Sequence, residues 1–244
     1  MKVYYDLHIH SCLSPCGSEE MTPNNIINMA AISGLQVVAL TDHNSCKNCP
    51  AAAQVAQQAG ITFLPGMELC TAEEIHVVCL FASLERAMAF DQRVEQALLP
   101  INNRPEVFGH QSILNQDDEP IGEFPTLLTA ASTISIDEVA ELMHLYGGVA
   151  FPAHIDRASY SVISALGDFP SLGFSAAEIT ETGDVSALQE KYPLLRDMPL
   201  VMDSDAHDLE VISQPQAYFE LPDCKAQTVL DALAGRIACA HYRE

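Results

Sequence analysis

Positive charge is what this chain has least of. Its 244 residues hold 11 Lys and Arg against 33 Asp and Glu, a formal net charge of −22. A surface that acidic repels phosphate backbones and anionic headgroups, so neither a long nucleic acid nor a membrane surface is expected as a partner. An uninterrupted apolar run is missing too. The longest charge-free stretch, 21–41, is broken by Pro23, Asn24, Asn25, Asn28, Ser33, Gly34 and Gln36, which excludes a membrane-spanning helix there. Asp6 arrives before any apolar run long enough for a secretory leader, and the expected compartment is the cytoplasm. Cysteine is sparse, at eight residues, and a disulfide scaffold is not expected. Internal repeats, low-complexity tracts and linker-like stretches are missing as well, so residues 1–244 are read as one domain. What is present is 48% hydrophobic residues, ample for a core, in a length that α/β barrels reach as a single domain.

The patterning alternates strand and helix. Residues 2–9 read as a strand. Thr22 caps a helix with Pro23 in its first turn, and Gly34 ends it. Residues 35–40 are β-branched and apolar throughout, as in a strand buried on both faces. A helix over 50–59 closes at Gly60. Strands follow at 61–66 and 74–81, then a helix at 84–98. Residues 100–130 break the rhythm and read as an inserted hairpin, with the Asp117-Asp118-Glu119 run as its solvated turn. Ser135 and Glu138 form a capping box for a helix over 136–146. Strands at 149–151, 176–179 and 199–202 follow, and Asp223 caps a last helix that ends at Gly235. This spacing predicts an α/β fold of parallel strands with helices outside.

Histidines and carboxylates collect where those strands end. His8 and His10 close the first, Asp42 and His43 the second, and Glu68 follows the third. His154 follows the strand at 149–151, and Asp205 and His207 follow the one at 199–202. His76 lies inside a strand instead. The C-terminal ends of parallel strands converge on one crevice, where chemistry is usually placed. Residues i and i+2 of an extended segment face the same side, so His8 and His10 can share one ion, and Asp205 and His207 repeat that spacing. Imidazole with carboxylate suits zinc, iron or manganese. Five histidines plus Glu68 and Asp205 exceed one tetrahedral shell. Two or three divalent ions are therefore expected, with Glu68 bridging. A centre of that kind activates water and clamps an in-line displacement. His110, His144 and His241 are read as ordinary surface or hydrogen-bonded histidines.

Asp6-Leu7-His8-Ile9-His10-Ser11 resembles the first motif of the PHP (polymerase and histidinol phosphatase) family. Thr41-Asp42-His43-Asn44, Gly66-Met67-Glu68, Pro152-Ala153-His154 and Ser204-Asp205-Ala206-His207 are similar to its later motifs, in the family's order. The resemblance implies a distorted seven-stranded (β/α)7 barrel. It implies hydrolysis of a small phosphate monoester or diester, nucleotides included, by a metal-bound hydroxide. It places His8, His10, Glu68 and Asp205 on one ion, Glu68, His76 and His154 on a second, and His43 and His207 on a third. Asp205, His207 and Arg157 become the candidate catalytic residues, with Arg157 on the substrate phosphate. Pro15 stands about where the family often has an aspartate that helps hold the third ion. Cys16 beside it is read as a loop cysteine rather than a thiolate ligand. Cys12, Cys16, Cys46 and Cys49 would form a zinc site or a disulfide only if their two loops met, which is not the favoured expectation. Two other functions compete: a non-catalytic metal-binding module, and a zinc amidohydrolase. The second fits less well, because none of Lys2, Lys47, Lys191 and Lys225 closes a predicted strand to serve as a bridging ligand.

Overall fold

In the computed structural model, which describes residues 1–213, 217–238 and 240–243, the first third of the chain follows its patterning. β1 (Lys2–Asp6), α1 (Pro23–Ile32), β2 (Val37–Leu40), α2 (Cys49–Ala59) and β3 (Thr62–Cys70) alternate, and the three strands pair in parallel. Thr22 caps α1 by accepting the Asn25 N–H, with Pro23 in the first turn. α2 stops at Gly60, whose φ of +73° a side chain would oppose.

Parallel pairing ends at β3. β4 (His76–Phe81) runs antiparallel to β3, and β7 (Gly148–Pro152) antiparallel to β4, which corrects the expectation of an all-parallel sheet. Only residues 71–75 separate β3 from β4, too few for a helical crossover. At Gly66 a Cβ would lie 2.4 Å from Cys79 O, so this hairpin closes only with glycine there.

α3 (Leu84–Glu95) leads into the insert. This holds α4 (Pro105–Phe108) and a hairpin of β5 (Ser112–Leu114) and β6 (Pro120–Glu123), as expected. Its acidic tip is not free in solvent. Asp118 accepts from the Thr22 hydroxyl at 2.7 Å and from the Asn24 N–H at 3.2 Å, docking the hairpin on the start of α1. α5 (Ile136–Tyr146) opens with the Ser135–Glu138 capping box. After β7 come α6 (Val162–Leu166), β8 (Ala177–Glu178), α7 (Val185–Lys191), β9 (Leu200–Val201), β10 (Ala217–Glu220), α8 (Ala226–Leu233) and β11 (Ala240–Arg243). The cap of α8 falls at Lys225 rather than Asp223, which instead accepts the Lys225 N–H and the Thr228 hydroxyl.

The main sheet is ordered β11-β10-β1-β2-β3-β4-β7 and is curled and open, with β8 and β9 a separate parallel pair. The fold is α/β, and among the described residues the strands do not join into one continuous (β/α)7 ladder. β8 and β9 are two residues each. They meet β7 and β1 through single contacts: Ile155 N–H to Glu178 O at 2.9 Å, an Ile9–Ala206 bridge, and the Leu7 N–H to the Asp203 carboxylate at 2.6 Å. A carboxylate thus stands where a ladder carbonyl would.

Alternate strand residues feed two cores. Val3, Tyr5, Val37, Ala39, Val78, Leu80, Val149 and Phe151 pack on one side, with α8. Val38, Leu40, Val77, Cys79, Phe81 and Ala150 pack on the other, against α1, α2, α3 and α5. Strands buried on both faces explain the continuous apolar runs. Among the described residues no helix is long and apolar enough to cross a membrane.

Phe151 is 0% exposed in the core beside α8. Phe151→Ala is expected to cost about 3–5 kcal/mol in urea unfolding. Ile32→Ala, at a position 81% exposed, is expected to cost no more than about 0.5 kcal/mol. Equal losses at the two positions would contradict this assignment of the core.

Candidate metal centre

The strand ends converge on Glu68. Its Oε1 lies 2.9 Å from His76 Nδ1, 3.2 Å from His8 Nε2 and 3.2 Å from His154 Nε2. Its Oε2 lies 2.9 Å from His43 Nδ1 and 3.5 Å from His10 Nε2. Asp205 Oδ1 is 3.4 Å from His8 Nε2 and 3.2 Å from His10 Nε2. All eight candidate ligands therefore meet in one cluster, and ligating atoms converge in three groups: His8, His10 and Glu68; His43, Glu68 and His76; His10, His43 and His207.

Neighbouring groups fix which way the imidazoles face. The Ser14 hydroxyl donates its one proton to Asp42 at 2.7 Å, so it accepts from His10 Nδ1–H at 3.0 Å and from the His43 N–H at 3.1 Å. His8 Nδ1 is held by Glu178 at 2.9 Å. Both Nε2 atoms then face inward, 3.1 Å apart. Two lone pairs cannot meet without a cation between them, whether proton or metal. His43 Nδ1 and Glu68 Oε2 are close but not aligned as a hydrogen bond, and both are buried without another partner, as is His154 Nδ1. A buried acceptor left unpaired is costly, and an imidazole–carboxylate shell of this composition suits a divalent ion. The residues fit the metals that the sequence implies.

Backbone strain marks the same place. His154, Asp205 and Asn44 adopt φ of 31°, 49° and 49°. Asn44 is anchored there: its side chain donates to Leu128 O and Ala130 O and accepts the Cys70 N–H. Tyr160, at φ 54°, stacks on the His76 ring with centroids 4.6 Å apart and is 47% exposed at the rim.

Electrostatics follow from burial against mutual attraction. Burial alone would raise the Glu68 carboxyl, but the His76, His8 and His43 imidazoles outweigh it and hold it well below the usual range. Burial would likewise raise Asp205, but His8 and His10 outweigh it and hold its carboxyl well below the usual range. Burial disfavours charge on His8 and His43, yet the Glu178, Asp205 and Glu68 carboxylates raise His8 well above its ordinary value. Glu68 and Cys16 raise His43 to about 10. His10 is pushed well down by burial and by the charge on His43. Behind His8, burial lifts Asp6 to about 6. Asp203 is also raised well above its ordinary value, by burial and by the charges of Glu178 and Asp6.

Arg157 pairs with Asp205 Oδ2 at 2.6 Å rather than with Asp156 or Asp168. Asp156 instead accepts from Thr180. Arg157 borders a cleft of about 240 Å³ that also holds His154, Thr180, Thr182 and Ser204. The four loop cysteines do not meet. Cys46 and Cys49 sit under Gly66 O, Cys12 faces Ser112 O, and Cys16 stands by His207 and His43; all seven described cysteines are free. His110 pairs with Glu123 at the surface, while the His241 side chain and Cys239 lie outside the described residues. Sequence reasoning missed Glu178 and the supporting role of Asp42. Both sit at strand ends, and that position was the available signal.

Because raised His8 and His43 hold protons at neutral pH without metal, and ligation needs neutral imidazole, metal binding is expected to release protons. Affinity then rises with pH towards about 10, where His43 loses its proton. Calorimetric titration of zinc in two buffers of different ionisation enthalpy checks this. The apparent enthalpy should differ between buffers, and identical enthalpies would contradict it.

The PHP domain profile matches residues 6–165. Among curated proteins, a 79-residue stretch is 34% identical to a 5'-3' exoribonuclease of Haemophilus influenzae, covering 31% of this chain and 28% of that one. Among solved structures, the lesion-specific endonuclease PfuEndoQ of Pyrococcus furiosus superposes with a TM-score of 0.66 at 19% identity, over 99% of this chain and 58% of that one. A protein assigned as a metal-dependent phosphoesterase of Bifidobacterium adolescentis follows at 0.56 and 17%, over 83% and 87%. The chain spans less than two thirds of the exoribonuclease and of the endonuclease, and at these identities the structures share its fold. With the profile covering well over half of its length and the motif residues gathered at one site, the chain belongs to the PHP domain family.

Proposed function

We propose that this protein is a metal-dependent hydrolase of phosphoester bonds, acting on a small phosphate ester such as a nucleotide or a short oligonucleotide end. The observation that carries the reading is the convergence of five imidazoles on Glu68 beside a cleft bordered by Arg157. Family membership and the names of the similar proteins support it. Glu68 with His8, His10, His43, His76, His154, Asp205 and His207 would hold two or three divalent ions. Bound there, such ions supply Lewis acidity and water made acidic enough to ionise near neutral pH.

The protein's own groups do the positioning. Asp205 stays ionised and spends Oδ2 on Arg157, aiming the guanidinium along the cleft. The remaining N–H groups of Arg157 would take two oxygens of one phosphate, with Thr182 as a further polar group, in a cleft that Glu178, Glu181, Asp203 and Asp205 also line. The cleft of about 240 Å³ has room for a phosphate and part of what it esterifies, and the exposed Tyr160 ring stacked on His76 offers a flat surface to the rest of a substrate. His207 commits Nδ1 to Asp205 O at 2.8 Å and joins His10 and His43, which suits a ligand better than a free acid for the leaving group. The charge of −22 favours a compact substrate over a long polynucleotide.

Turnover on a panel of phosphate monoesters, diesters and nucleotides tests the reading. Wild type is expected to hydrolyse a member, with His8→Ala inactive and Arg157→Ala reduced about 100-fold or more in kcat/KM. Wild type that binds metal yet hydrolyses nothing would contradict the reading.

A further inference from the structure

Tyr160 stands in a row of rings that ends at the cleft. Its ring stacks on His76 with centroids 4.6 Å apart and planes 25° from parallel, and the His76 ring meets that of His154 edge-on at 5.5 Å. His154 borders the cleft together with Arg157. A ligand with its phosphate in the cleft therefore needs only a short spacer to reach Tyr160. One loop carries both residues. The Arg157 N–H bonds to His154 O at 2.9 Å, and Tyr160 O accepts the His76 N–H at 2.9 Å. The buried Ser161 hydroxyl donates to Arg157 O at 2.7 Å and caps α6 by accepting the Ser164 N–H. Fixed in this way, the loop presents the Arg157 and Tyr160 side chains to solvent, with only Ala158 and Ser159 between them.

Packing does not account for a tyrosine there. Its φ of 54° is a conformation that glycine enters freely and an aromatic residue enters under strain. The residue belongs to neither core and is 47% exposed, so with one face on His76 the ring keeps surface open to a ligand. Charge favours a neutral group on that surface. Glu178, Glu181, Asp203 and Asp205 line the cleft against one Arg157, so a second anionic group on a substrate would be repelled, whereas a planar base carries no charge. We propose that Tyr160 is a specificity-determining residue that stacks on the base of a nucleotide, so that the esters hydrolysed here are nucleotides rather than simple sugar or alkyl phosphates. This rests on the phosphoester reading above and adds the identity of the group at the far end of the substrate. Every base has a π-face, so such a platform selects the class and not the individual base.

Adenosine monophosphate and ribose 5-phosphate share sugar and phosphate and differ by the base. Metal-loaded wild type is expected to favour the nucleotide by about 10-fold or more in kcat/KM. Tyr160→Ala should bring that ratio close to one, chiefly through the KM for the nucleotide, and Tyr160→Phe should keep it. A purely structural role, acting through His76, would lower both substrates together and leave the ratio where it was. A wild-type ratio near one, a ratio unchanged in Tyr160→Ala, or a phenylalanine variant that behaves like the alanine one would overturn the proposal while leaving the phosphoester reading intact. If wild type turns over neither compound, calorimetric binding of the two decides. A preference for the nucleotide that Tyr160→Ala abolishes supports the proposal even as the phosphoester reading falls, and equal or absent binding overturns it.

Discussion

Burying Glu68 among five imidazoles is the constraint on which the rest of this structure depends. The carboxylate is 1% exposed, and His8, His10, His43 and His154 around it are nearly as inaccessible. Acceptors that face one another in a dry site repel unless cations lie between them. In the metal-free protein protons serve, which is why His8 and His43 hold theirs so strongly. The outer groups then make sense as one arrangement. Glu178 and the Asp42–Ser14 pair occupy the outer nitrogens of His8 and His10 and turn the inner ones toward the centre. The positive φ values at Asn44, His154 and Asp205 are the backbone's share of the same cost.

What sustains that cost is the scaffold beneath. Strands buried on both faces anchor the loops to two cores at once, so a ligand at a strand end inherits the rigidity of the sheet. The wall is interrupted where β8 and β9 meet β7 and β1, and there Asp203 and Asp6 accept backbone N–H groups that a ladder would pair. The interruption lies next to the cleft with Arg157, so the opening that weakens the barrel also gives access to the centre.

Much of this was legible in the sequence because ligands at strand ends leave a local signature. His8 and His10, two apart, and Asp205 and His207, two apart, lie beyond their strands and meet in the cluster, whereas Glu68 lies inside β3 rather than after it. His76 was readable only through resemblance: it was expected inside a strand, and the structure places it as the first residue of β4, at the start of a strand rather than its end. Strand direction was not legible: an apolar run looks the same in either sense, and the short turn at 71–75 was the one clue to the antiparallel β4. Tertiary contacts were hidden for the same reason. Nothing local to Asp118 indicates that it docks on Thr22. The closed (β/α)7 count belonged to the resemblance, and the two-residue strands β8 and β9 do not sustain it as a ladder.

The central claim is that Glu68 bridges the ions and that the cluster exists to hold them. The most direct measurement is metal content per chain, by elemental analysis of protein purified without chelator, for wild type and Glu68→Gln. The substitution keeps the side chain's volume and removes its charge, and circular dichroism checks that the fold is retained. The account predicts two or more ions in wild type and a loss of most of them in the variant. A variant that retains the wild-type metal content would contradict it.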